Sequence, residues 1–276
     1  MSALISAEEL HNMLDDENLR IFDASYNLPV YEDGIPGAQD FDIDDIADPA
    51  APLAHTVPSP EIFAEKVGAL GVSKDSAVIV YDRAGVHVSA SRAWWLFRLF
   101  GHDNVRVLNG GLPAWAAAGY PMEARQNNRH SPATFTPRFR PELLRLKADM
   151  QDNIETSAFC VLDARDPARY AGTAPEPRPG MQPGHIPGSL NTPFVYLINP
   201  ETYGLKDTET LADVFAHCGV DISGKPLATS CGSGVTACVV ALALHELGQK
   251  DVAVYDGSWT EWGGDTATPK KTGSEP

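Results

Sequence analysis

Two kinds of apolar run alternate along the chain. Short blocks such as AVIVYD at 77–82 and VAVY at 252–255 have the length and β-branched content of strands. Longer stretches such as SRAWWLFRLFG at 91–101 and VTACVVALALHELG at 235–248 have the length of helices. Strands alternating with helices predict an α/β fold, because each helix returns the chain to pair the next strand in parallel.

The pattern also occurs twice, with similar segments recurring in the same order roughly 140 to 151 residues apart. Ile21-Phe22-Asp23-Ala24 matches Val161-Leu162-Asp163-Ala164, and Ile35-Pro36-Gly37-Ala38 matches Ile186-Pro187-Gly188-Ser189. Gly71-Val72 matches Gly219-Val220, and the strand 78–82 matches 226–231 with a slip of one residue. VRVLNGGLPAW at 105–115 then matches VAVYDGSWTEW at 252–262. The stretch RQNNRHSPATFTPRFR at 125–140 is polar, contains proline and lacks a period, as a connection does. We therefore expect a first domain over 1–125, a connection over 126–139 and a second domain over 140–276, each a mainly parallel central sheet flanked by helices. The last residues, TATPKKTGSEP, read as a frayed tail.

Composition agrees and narrows the function. A length of 276 residues suits two domains, and 43% hydrophobic with 21% charged residues is ordinary for a globular protein. The net charge of −16 repels phosphate backbones and anionic membranes, so neither nucleic acid nor a membrane is expected as a partner. The first residues lack a basic region followed by an apolar core, no apolar run reaches a membrane span, and the expected location is cytoplasmic. Cys160, Cys218, Cys231 and Cys238 form no C-x-x-C pair and are expected as reduced thiols.

The two copies differ where a strand runs into a helix. The first has Asp82-Arg83-Ala84-Gly85-Val86; the second has Cys231-Gly232-Ser233-Gly234-Val235-Thr236. Ligands of open α/β sheets bind at the carboxyl ends of strands, so the second copy holds a thiol where chemistry is expected and the first is left as scaffold. Two glycines let successive N–H groups turn inward ahead of the following helix, a cradle that stabilises a thiolate or a terminal persulfide sulfur. Cys160, Cys218 and Cys238 lie in the apolar contexts FCVLD, AHCGV and TACVV and are expected in the core.

The loop Cys231-Gly232-Ser233-Gly234-Val235-Thr236 resembles the active-site loop of 3-mercaptopyruvate sulfurtransferases, members of the tandem-domain rhodanese superfamily. EPRPG at 176–180, GHIPG at 184–188 and YDGSW at 255–259 extend the resemblance, and one departure is Gly34, where the superfamily turn usually has histidine. The resemblance implies two tandem rhodanese-like domains and a sulfurtransferase that carries sulfur as a Cys231 persulfide. The donor implied is 3-mercaptopyruvate, the acceptor a thiol such as thioredoxin or else cyanide, and no metal or organic cofactor takes part. It maps two carboxylate-binding arginines onto Arg169 and Arg178, whose guanidinium forks suit a carboxylate. It also suggests a proton relay through Asp44, His55 and Ser233, although Ser233 equally suits a helix cap. Arg165 reads as ordering the strand end, His185 as stabilising a turn, and Trp94, Trp95, Trp115 and Trp262 as packing residues.

Three rivals are separable. A thiosulfate:cyanide sulfurtransferase places basic residues in the loop to receive a dianion, and this loop has none. A cysteine phosphatase needs an arginine at the end of the loop, where Ala237 stands. A non-catalytic relay module would accept persulfide from a partner without turning over free mercaptopyruvate.

Overall fold

The computed structural model describes residues 2–26, 33–85, 87–124 and 129–276. Val86, Arg125 at the end of the expected first domain and residues 126–128 of the expected connection lie outside the described residues. Its contacts divide the chain into two units: Met1–Ala51, Val57–Arg140 and Ile198–Leu205 in the first; Pro52–Thr56, Pro141–Leu197 and Lys206–Pro276 in the second.

The first unit runs β1 (Leu4–Ile5), α1 (Ala7–His11), β2 (Leu19–Asp23), β3 (Asp33–Gly34), β4 (Ala38–Asp40), α2 (Pro60–Ala69), β5 (Ala77–Tyr81), α3 (Val88–Leu99), β6 (Val105–Leu108), α4 (Gly111–Ala117) and β7 (Glu123–Ala124). Its sheet has the order β1-β6-β5-β2-β4 with every pairing parallel, and β3 pairs with β7 separately as an antiparallel ribbon. The second unit runs β8 (Leu144–Arg145), α5 (Lys147–Thr156), β9 (Cys160–Asp163), α6 (Pro167–Tyr170), β10 (Leu190–Asn191), α7 (Thr208–His217), β11 (Leu227–Ser230), α8 (Ala237–Glu246), β12 (Ala253–Tyr255) and α9 (Ser258–Trp262). Its sheet, β8-β12-β11-β9-β10, is again parallel throughout.

The duplication extends to register. Asp23 pairs with Tyr81 and Asp163 with Ser230, and the next N–H, of Ala24 or Ala164, donates 2.8 Å to the carbonyl of Tyr81 or Ser230. Asp82 and Cys231 are thus the same position, the first residue beyond the strand.

Parallel strands are covered on both faces, and the helices that cover them read as apolar all round. Residues 237–245 of α8 are all buried, as are Trp94 and Trp95 in α3. Trp115 and Trp262 fill the corresponding places in α4 and α9. Cys238 is buried, whereas Cys160 and Cys218 are only half-buried.

Two segments behave differently from their composition. Residues 129–140 lie on the first unit: Ala133 donates to Gly68 O, Arg138 to Phe100 O and Arg140 to Leu99 O, and the Phe135 ring meets Phe63 edge-on at 5.6 Å. The C-terminal tail is not frayed. Trp262 Nε1 donates 2.8 Å to Pro269 O, buried Thr268 donates 2.6 Å to Trp262 O, and Lys271 pairs with His185 as an antiparallel bridge. Backbone pairing outweighs the polar composition that suggested fraying.

Candidate active site

β11 delivers Cys231 to the carboxyl edge of the second unit's sheet, where its side chain is buried. The loop then turns at Gly234, whose φ of 74° is left-handed and favours glycine, and enters α8 after Thr236. Gly232 is not left-handed, so no backbone strain requires glycine there. A methyl group placed on it would lie 3.4 Å from Arg169 Nη2 and 3.7 Å from Arg178 Nη1. Both predicted arginines therefore stand beside the cysteine loop. Val235 is buried, and the helix-capping role expected of Ser233 is not found: the N-cap is Thr236, with no side-chain cap bond.

The loop is bolted to the start of α9. Ser258 Oγ accepts from Cys231 N and Gly234 N, each at 3.1 Å, and donates 2.8 Å to Tyr255 O. Trp259 N donates 2.9 Å to Cys231 O, while Thr260 gives Gly232 O both its N–H at 2.9 Å and its hydroxyl at 2.6 Å. Two of the loop's amides are thus taken up by a serine. The N–H groups of Gly232, Ser233, Val235 and Thr236 donate to no protein group among the described residues, which leaves them open to another acceptor.

Behind the loop lies a charged framework. Arg165 is fully buried, forks onto Asp163 through Nε at 3.0 Å and Nη2 at 2.6 Å, and donates to Glu176 at 2.9 Å and Gly184 O at 2.8 Å. Its guanidinium lies over the Trp259 ring, 4.3 Å from the centroid. Burial works against that charge, but Asp163, Glu176 and Cys231 together outweigh it and hold the pKa above the ordinary arginine value. Glu176, whose side chain is largely covered, takes Arg169 Nη2 at 2.6 Å with its other oxygen. Arg169 sits in the last turn of α6, which Asp166 caps, and Arg178 reaches Thr260 Oγ1 at 3.4 Å. His185 has the turn role expected: its ring stacks on Tyr170 at 3.8 Å and shares a 2.9 Å bond with Tyr170 O.

The relay residues divide between the units. Asp44 is exposed on the first, beyond β4. His55, buried and at a left-handed φ of 62°, belongs to Pro52–Thr56, the piece of the first copy counted with the second unit. Sequence reasoning had no role for Ser258, Thr260 or Glu176. One signal was present: the aligned repeats put Ser258 opposite Gly111.

A doubled parallel sheet with one cysteine loop at a strand end defines the class of this protein. The rhodanese-like domain matches residues 6–118 and again 146–265, and the chain belongs to the rhodanese family, with two copies of its domain. The human 3-mercaptopyruvate sulfurtransferase is 42% identical over 274 residues, covering 95% of this chain and 91% of that protein. An Arabidopsis thaliana protein named thiosulfate/3-mercaptopyruvate sulfurtransferase 1, mitochondrial, is 40% identical over 288 residues, covering 94% and 75%. Among solved structures, SseA from Escherichia coli, described as showing the fold and mechanism of 3-mercaptopyruvate sulfotransferases, superposes with a TM-score of 0.82 at 36% identity, covering 94% of this chain and 99% of that one.

Proposed function

We propose that the protein takes sulfur from 3-mercaptopyruvate onto Cys231 and passes it to a thiol such as a reduced thioredoxin, or to cyanide. The observation that carries this reading is the pair of guanidinium groups against Gly232, beside a buried cysteine in a loop with no charge of its own. Arg169 and Arg178 hold the donor carboxylate, and the Cys231 thiolate attacks the donor sulfur. The Sγ–S bond forms as the donor C–S bond breaks, and the released electron pair enters the carbonyl-conjugated carbon as pyruvate enolate, which then takes a proton. The amides of Gly232, Ser233, Val235 and Thr236 stabilise the transferred charge, as an oxyanion hole does. Gly234 acts on the turn instead, its own amide being bound to Ser258. Asp44, His55 and Ser233 serve as the relay that removes the donor thiol proton. The proposed location is the cytoplasm, where thiols stay reduced; no helix among the described residues is long and apolar enough to cross a membrane.

Incubation with 3-mercaptopyruvate followed by intact mass analysis should show one added sulfur, absent in Cys231→Ser, with pyruvate released. The Arg178→Ala variant should lose donor use yet still be persulfidated by inorganic polysulfide, which has no carboxylate. No adduct and no pyruvate would refute the reading. A higher kcat/KM for thiosulfate than for mercaptopyruvate would move the chain to the alternative donor that the Arabidopsis relative's name also carries.

A further inference from the structure

In the duplicated plan, the interval between the strand ending at Asp163 and the Ile-Pro-Gly turn is roughly eleven residues longer than its counterpart in the first copy. That extra length falls within the segment 172–184, which carries Glu176 and Arg178 and walls a cleft of about 450 Å³. Ordering such a loop has an entropy cost for every residue fixed, so something must grip it. Its far side is held to the end of α9: Gln182 N donates 3.0 Å to Gly263 O, and Trp259 Nε1 donates 3.1 Å to Gln182 O.

Its neck is closed partly from within, by Arg165 Nη2 on Gly184 O at 2.8 Å and by the His185 ring against Tyr170, and partly by the C-terminal tail. His185 N donates 2.8 Å to Lys271 O, Lys271 N donates 3.0 Å to His185 O, and Gly273 N donates 2.9 Å to Ala171 O. The fit is close. A Cβ on Gly184 would come within 2.2 Å of Lys271 O, and one on Gly172 within 3.1 Å of Thr272 Cγ2. The first copy has the same device: Gly34, the counterpart of His185, pairs with Glu123 in the β3–β7 ribbon. Only in the second copy does the clasp close a segment bearing arginine.

We propose that Lys271, Thr272 and Gly273 are positioning residues for donor recognition, a latch that completes the closure of the neck of 172–184 begun by Arg165 and His185 and so helps set where Arg178 presents its guanidinium. This rests on the reading that Arg178 binds the donor carboxylate. The test compares the full chain with two shortened chains, one lacking 274–276, which keeps the clasp, and one lacking 271–276, which removes it while keeping the Pro269 and Thr268 anchors.

Losing the clasp should raise KM for 3-mercaptopyruvate on the order of tenfold or more, with kcat changed far less. Loading of Cys231 by polysulfide should be unchanged. Hydrogen exchange should speed up in 172–184 and stay slow in β9 and β11, and the chain lacking 274–276 should match the full chain in every measurement. Unchanged KM and unchanged exchange without 271–276 overturn the latch, and so does a collapse in which polysulfide loading and strand protection fail together. If the full chain does not turn over mercaptopyruvate at all, the donor reading fails instead, while the exchange measurement still decides whether the tail orders the segment.

Discussion

At the scale of single residues, the sharpest contrast between the copies is Ser258 against Gly111. Both occupy a left-handed backbone, at φ 48° and 57°, where a side chain is strained. In the first copy a Cβ would come within 2.3 Å of Asp82 O, so glycine is enforced. In the second copy the strain is tolerated because the hydroxyl accepts from Cys231 and Gly234. Ser258→Ala keeps the strain and orphans two buried donors, so it should cost about 1–3 kcal/mol. Ser258→Gly relieves the strain and should be the more stable of the two variants. Both should slow persulfide formation on Cys231; thermal melts and mass-monitored loading check this, and an alanine variant indistinguishable from the parent in both would defeat it. Asp82 shows what the first copy put in place of the thiol. Burial pushes its pKa up from 3.8 to about 6, against the pull of the Gly85 N–H. The folded chain therefore keeps this proton longer than the unfolded chain. The stabilising effect of the neutral acid is complete below about pH 4 and is lost as pH rises through about 6. Ionised, the carboxylate costs about 3 kcal/mol. Asp82→Asn keeps an acceptor for Gly85, so it should melt above the parent near pH 7.5, with the gap closing near pH 4.5. A gap independent of pH would mean that Asp82 does not titrate in this range.

At the scale of elements, the strands, the helices, the duplication and the cysteine loop were legible because each has a local signature: an apolar period, a repeat, a glycine spacing. The reason given for both glycines held at Gly234 alone. Gly232 lies beside Arg169 and Arg178, a proximity that no local pattern carries. Ser258, Thr260 and Glu176 were missed for a related reason. Ser258 acts on Cys231 across 27 residues and Thr260 on Gly232 across 28, while Glu176 joins Arg165 to Arg169, a bridge that no apolar period or glycine spacing marks. The tail was misread because its composition is that of a disordered end, while its order comes from backbone bonds to Ala171 and His185, to which composition is blind. Residues 129–140 follow the same logic, with backbone donors tied to Gly68, Leu99 and Phe100.

At the scale of the whole molecule, each copy places one short segment with the other unit. Pro52–Thr56, carrying His55, is counted with the second, and Ile198–Leu205 with the first. Both come from the same place in the repeat, between the edge strand (β4 or β10) and the next helix (α2 or α7). The second exchange is visible in detail. Leu205 N donates 2.9 Å to Asn109 Oδ1, and a Cβ on Gly85 would lie 2.9 Å from Tyr203 Cβ and one on Gly110 2.8 Å from Thr202 O. Ile198 and Leu205 are both buried. A chain limited to 141–276 would expose these two side chains, each losing roughly 1.5–3 kcal/mol of burial, and would lack His55 altogether. It should therefore melt well below the full chain and turn over donor poorly, even though it contains Cys231, Arg169 and Arg178. Co-expressing 1–140 with 141–276 breaks only the peptide bond between Arg140 and Pro141 and leaves every borrowed segment available, so the halves should co-purify and recover most of the donor turnover. If 141–276 alone matched the full chain in melting and turnover, the exchanged segments would be incidental to stability and catalysis, and the second copy would be an independent enzyme.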